Sequence, residues 1–240
     1  DLKIPKNLAV IEISTFEDCA KFTSLSISEN VVEIKEKAFC NCSGFAGSLI
    51  IPNKVKSISN HSFYNCRNFN GYLVLPDSIE IIGQSAFYEC SKLNGDLSIS
   101  CQKIEREAFK NCFSFNGTLT ISSSTKNIEE GSFLGTKFSE VIFLGDVKIE
   151  CSNSIGLPEN SIVYVINQYK ENNFCSYEIS HMEEPEKPAK SNKGLSKYAI
   201  IGISVAASVV VVVVIIVLIV VVIKKKRYTR NENISTSEDI

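Results

Sequence analysis

Tryptophan is absent from the 240 residues, methionine occurs once, and the only histidines are His61 and His181. So few imidazoles leave little material for a histidine-rich metal site or a histidine-based catalytic triad. No strong charge of either sign is present. Against 25 Lys+Arg stand 27 Asp+Glu, a net charge of −2, which gives no basic field for nucleic acid. Nine cysteines are too few to build a disulfide scaffold of this length. No phosphate-binding glycine loop, nucleophile elbow or paired-carboxylate arrangement occurs. An enzyme is therefore not expected, and neither is a cofactor.

What the sequence does have is periodicity. Cys19, Cys42, Cys66, Cys90 and Cys112 recur every 22–24 residues, and Phe16, Phe39, Phe63, Phe87, Phe109 and Phe133 run in step with them. Three residues after each Cys lies Phe22, Phe45, Phe69, Leu93 or Phe115, and an L-x-I strand follows, as in Leu25–Ile27 and Leu49–Ile51. Weaker copies start at Leu2, Val141 and Val163. A unit this short cannot bury its own apolar side, so the units must stack. Equivalent strands then form parallel sheets at about 4.8 Å spacing. The Phe and Cys columns become internal ladders, each Phe contributing roughly 1.5–3 kcal/mol on burial.

The unit F22-T-S-L25-S-I27 fits L-x-x-L-x-L, and A-F-x-x-C segments follow the second apolar pair of each copy. On these motifs the chain resembles BspA-like leucine-rich repeat surface proteins over about residues 2–140, with decayed copies to about 180. Some units depart from the pattern. Extra residues occur as in F45-A-G-S-L49, Ser100 and Ser122 replace the turn proline, and Thr136 replaces a ladder Cys. The resemblance implies a leucine-rich repeat solenoid with parallel strands and short helical or irregular A-F-x-x-C segments. It also implies a cell-surface location, adhesion or partner binding through the repeat face, and no enzyme activity.

The ladder cysteines could fill the core as reduced thiols, cross-link, or bind metal. Cα atoms near 5 Å apart would admit a disulfide, but parallel side chains suit its dihedral poorly. Zinc needs four converging ligands, and only Cys40 and Cys42 lie close. Reduced, buried thiols are the expected state, with no metal. Cys151 and Cys175 lie in the degenerate copies, where a cap needs a staple, and form the candidate disulfide. Asn41, Asn60 and Asn116 begin N-x-S/T sequons, about the number expected by chance among so many asparagines. His61 reads as an exposed turn residue. Residues beside the inward Leu and Ile point outward and are mostly hydroxylated. Ile50, Tyr72 and Val74 are the apolar exception on adjacent strands and form the candidate partner-binding site.

Beyond the repeats the composition changes. Residues 181–198 are rich in Glu, Lys and Pro and read as a flexible stalk. Of residues 199–223 all but Gly202, Ser204 and Ser208 are apolar, and none is charged, the signature of a transmembrane α-helix. Lys224, Lys225, Lys226 and Arg227 follow directly, which places residues 224–240 in the cytoplasm and residues 1–198 outside. Gly202/Ala206 and Ser204/Ser208 have small-xxx-small spacing, a route to weak homodimerisation. The chain starts at Asp1 inside the pattern and without a leader, so a processed chain or a fragment is expected. The expected function is adhesion, or binding of a protein or a cell-surface or matrix ligand, by a repeat ectodomain (1–180) anchored in the plasma membrane as a single-pass type I protein. The alternative is a structural surface-coat antigen without a specific ligand.

Overall fold

A computed structural model describes residues 1–182, and Asp1–Met182 form one compact unit. Each turn contributes a strand to each of two walls. The first four turns carry β1 (Leu2–Lys3) and β2 (Val10–Ile11), β3 (Leu25–Ser26) and β4 (Glu33–Ile34), β5 (Leu49–Ile50) and β6 (Ser57–Ile58), then β7 (Leu73–Val74) and β8 (Ile81–Ile82). The next three carry β9 (Leu97–Ile99) and β10 (Lys103–Ile104), β11 (Thr118–Ile121) and β12 (Asn127–Ile128), then β13 (Glu140–Phe143) and β14 (Glu150–Cys151). β15 (Ile162–Val165), β16 (Asn173–Phe174) and β17 (Tyr177–His181) finish the unit. This is a leucine-rich repeat solenoid of parallel strands. The expected transmembrane helix at 199–223 and the stalk and tail around it lie outside the described residues. Among the described residues no helix is long and apolar enough to cross a membrane.

The even strands β2 to β14 form one uninterrupted parallel sheet of seven strands, joined isoleucine to isoleucine (Ile34↔Ile58↔Ile82↔Ile104↔Ile128). The odd strands are broken into β1–β3, β5–β7 and β9 onward. The first break coincides with a change of length. Three residues, Ala46, Gly47 and Ser48, separate Phe45 from Leu49, where Thr23 and Ser24 alone separate Phe22 from Leu25. The second break, between β7 and β9, has no such explanation in the residues leading into the strands.

The A-F-x-x-C segments form the third side, and they are successive tight turns rather than short helices. Each phenylalanine lies between two residues of positive φ, two before and two after. The pairs are Ser14 and Asp18, Lys37 and Asn41, His61 and Asn65, Ser85 and Glu89, Glu107 and Asn111, and finally Gly131 and Gly135. Left-handed residues at that spacing forbid a right-handed helix. Instead they aim alternate N–H groups at the next turn. The N–H of Asn65 donates to Tyr88 at 2.7 Å, and that of Phe63 to Ala86 at 2.8 Å. Backbone hydrogen bonds thus connect neighbouring turns on all three sides, which satisfies main-chain groups that a buried irregular segment would otherwise strand.

The core lies between these sides. Phe16, Phe39, Phe63, Phe87, Phe109 and Phe133 form a continuous stack with centroid spacings of 5.1–5.6 Å. Phe22, Phe45 and Phe69 stack beside it and meet it edge-on at Phe39–Phe45. Phe16 and Cys19 are only half-buried, because the first turn has a neighbour on one side alone.

Candidate partner-binding face

Strand alternation decides which side chains of β5 and β7 face out. Leu49, Ile51 and Leu73 are buried, while Ile50, directly paired with Val74, points away from the core. Ile50, Tyr72 and Val74 are 62%, 61% and 48% exposed. They crown a two-stranded ribbon set between the two breaks in this wall. A groove of about 510 Å³, lined in part by Leu25, Ser26, Ile50 and Pro52, lies on one side. A smaller hollow of about 250 Å³, lined in part by Tyr72, Val74, Asp96 and Ser98, lies on the other. Tyr72 is held from below: its N–H donates to Ser48 Oγ at 3.1 Å. Its ring lies over Gly95, where a Cβ would come within 2.8 Å of ring carbons. Gly95 also has φ +80°, so glycine suits the site on two counts. The three side chains thus form a compact, largely apolar patch with one braced aromatic, an arrangement suited to contact.

The cysteines have a structural role that spacing alone did not reveal. The thiols of Cys42, Cys66, Cys90 and Cys112 donate to the carbonyl oxygens of Phe16, Phe39, Phe63 and Phe87 in the preceding turn, at 2.9–3.2 Å. A small side chain with a weak donor caps a carbonyl inside the core. Burial pushes the Cys42 thiol up to about 12 and raises those of Cys66, Cys90 and Cys112, so all stay protonated. Cys151 and Cys175 form a disulfide with Cα atoms 5.4 Å apart. No cluster of three or more metal-ligating side chains occurs among the described residues.

The sequons differ in context. Asn41 is half-buried at φ +59°, its amide donating to Asp18 at 2.8 Å and accepting from Asn65 at 2.9 Å. Asn60 is half-buried and accepts from the N–H of Gln84. Only Asn116 of the three is exposed. His61 is not the exposed turn residue expected. It is half-buried at φ +56°, because the turn holds its ring beside Tyr64, 5.6 Å between centroids. The paired left-handed positions escaped sequence reading, since Lys, His, Ser, Glu, Asn and Gly all occupy them. The asparagines two places after Phe39, Phe63 and Phe109 were the available signal.

A family model for the BspA type leucine rich repeat region matches in six copies, over residues 1–114 and 45–155. The chain belongs to this family. The matched residues run through β14. No curated protein matches the sequence significantly. Among solved structures, a leucine-rich repeat protein of T. pallidum is similar at 24% identity, covering 63% of this chain and 72% of that one, with a TM-score of 0.54. One from Bacteroides ovatus has 18% identity over 75% of this chain and 60% of that one, TM-score 0.46. The first supports the leucine-rich repeat fold.

Proposed function

We propose that this BspA-type solenoid is a non-enzymatic binding protein that contacts a partner protein or matrix ligand through Ile50, Tyr72 and Val74. In the same reading, residues 1–180 are displayed outside the cell. Residues 181–198 are the stalk, 199–223 the membrane span and 224–240 the cytoplasmic tail. Leucine-rich repeat proteins generally bind proteins, and the observation that carries the reading here is the exposed apolar patch on neighbouring strands, flanked by two grooves. Aromatic and aliphatic side chains of this kind dominate contact energies when a partner excludes water from them. The uncharged, largely apolar run at 199–223 and the basic cluster after it support the anchored topology.

The test uses cells displaying the full chain. Binding to partner cells or matrix should be saturable. Tyr72→Ala with Ile50→Ser and Val74→Ser should weaken it by at least about 1–2 kcal/mol with unchanged display. Non-saturable coating that ignores the triple change would favour a coat antigen instead. External protease should spare an epitope at Asn231–Ile240, and digestion of that epitope would overturn the orientation.

A further inference from the structure

The second wall has a hollow of its own. At the position after the inward isoleucine, turns two and five place the long side chains Lys35 and Glu105, whereas turns three and four place Ser59 and Gly83. The missing bulk leaves a cavity of about 390 Å³ in the sheet face. It cannot readily be filled from Gly83. A Cβ on Gly83 would come within 2.7 Å of the backbone nitrogen and side-chain oxygen of Asn60. Ile13 and Ile81, 63% and 42% exposed, line the cavity together with Glu33, Glu36 and Glu105.

The charges in and around it are unevenly matched. Lys35, the one cation lining the cavity, is bonded to Glu12 at 2.8 Å. Lys103 is held between Glu105 at 3.3 Å and Glu129 at 2.7 Å. Glu33 and Glu36 form no close ion pair among the described residues, although Lys35 lies near enough to attract Glu33. An anionic occupant would be repelled here. A neutral apolar one would strip water from carboxylates without replacing it. A long cationic side chain meets both demands, laying its methylenes on the isoleucines and its head group against the glutamates.

We propose that this hollow docks an arginine or lysine side chain presented by an extended basic segment of a protein partner. The site is separate from Ile50, Tyr72 and Val74, which lie on the other wall. The probe is a fluorescently labelled Gly-Arg-Gly-Arg-Gly peptide, read by anisotropy against the full chain, beside the same peptide with neutral citrulline for arginine. The arginine peptide should bind and the citrulline peptide at least tenfold more weakly. Glu33→Gln with Glu36→Gln should cost at least tenfold, and Ser59→Arg, which occupies the hollow from within, should abolish binding. Glu150→Gln, on the same wall beyond the hollow, and the Ile50/Tyr72/Val74 triple variant should stay within twofold. The latter keeps failure of this site distinct from failure of the first. Absence of binding, equal binding of the citrulline peptide, or equal losses in Glu150→Gln and the glutamine pair would overturn the proposal.

Discussion

The first and last described turns of the solenoid are built on one repeat and are covered in different ways. At the first turn Leu2, Leu8, Phe16, Cys19 and Phe22 are half-buried, and Phe16 has a stacking partner, Phe39, on one side alone. At the last turns the aromatic ladder leaves its register. Phe143 meets Phe174 and Tyr169 at tilted and edge-on angles, β17 runs antiparallel to β16, and Cys151 is bonded to Cys175. Tyr177 adds a hydrogen bond from its hydroxyl to the Leu157 carbonyl at 2.9 Å. A repeat can be extended by more of itself, but only residues outside the pattern can close it.

The sharpest way to break that comparison is to remove equivalent rings from the middle and from the first turn. Phe87→Ala deletes a ring stacked on both sides, against Phe63 and Phe109, and should cost about 3–5 kcal/mol. Phe16→Ala should cost about 1–2 kcal/mol, because part of that ring's surface is already in water and it stacks on one side alone. Urea midpoints of the full chain check both, and equal losses would mean the first turn is as well covered as the fourth. At the other end, Cys175→Ser should cost about 2–4 kcal/mol by freeing the loop that the disulfide closes, whereas Cys19→Ser should stay within about 0.5 kcal/mol.

The thiols sharpen the contrast through pH. Burial raises Cys40 to about 11 and Cys42 and Cys101 to about 12, while the unfolded chain titrates near the ordinary value of 9. Between those values the unfolded state loses protons that the folded state keeps, so the thiols' contribution to stability is constant below pH 9 and is lost as pH rises through 9–12. Unfolding midpoints measured from pH 7 to 11 should show that fall, and a flat profile would mean that the thiols are accessible. At neutral pH a maleimide should label half-buried Cys19 before any other thiol, read by mass spectrometry. The smallest effect concerns the asparagine ladder. Asn65 Oδ1 is buried without a partner, because the next rung is Glu89. Glu89→Asn supplies a donor and a residue that tolerates positive φ. It should gain about 0.5–1 kcal/mol after loss of the exposed Arg67 ion pair, read as a raised midpoint.

The ladders were legible because the core accepts few residue types: phenylalanine and cysteine repeat where a buried ring and a small donor are needed. The outward placement of Ile50, Tyr72 and Val74 followed from strand alternation alone. The third side was not legible, since positive φ is a backbone demand that unlike side chains meet at modest cost. The breaks in the first wall were only half legible. Ala46-Gly47-Ser48 shows the extra residue, but whether a strand bends or unpairs depends on its neighbour. The hollow at Ser59 and Gly83 belongs to the same class, because it is made by what two adjacent turns omit.

The hydrogen bonds between turns have a mechanical meaning. They run along the stacking direction, as in Phe39 to Ser62 and Phe109 to Ser132. A load pulling the two ends of the stack apart therefore strains the bonds of one junction at a time. Turns should peel singly, each releasing about 80 Å of chain at roughly 3.3–3.6 Å per residue. The segment between Cys151 and Cys175 is covalently closed and cannot lengthen. The described unit thus lengthens in steps of one turn, and the steps stop where the pull meets the closed loop.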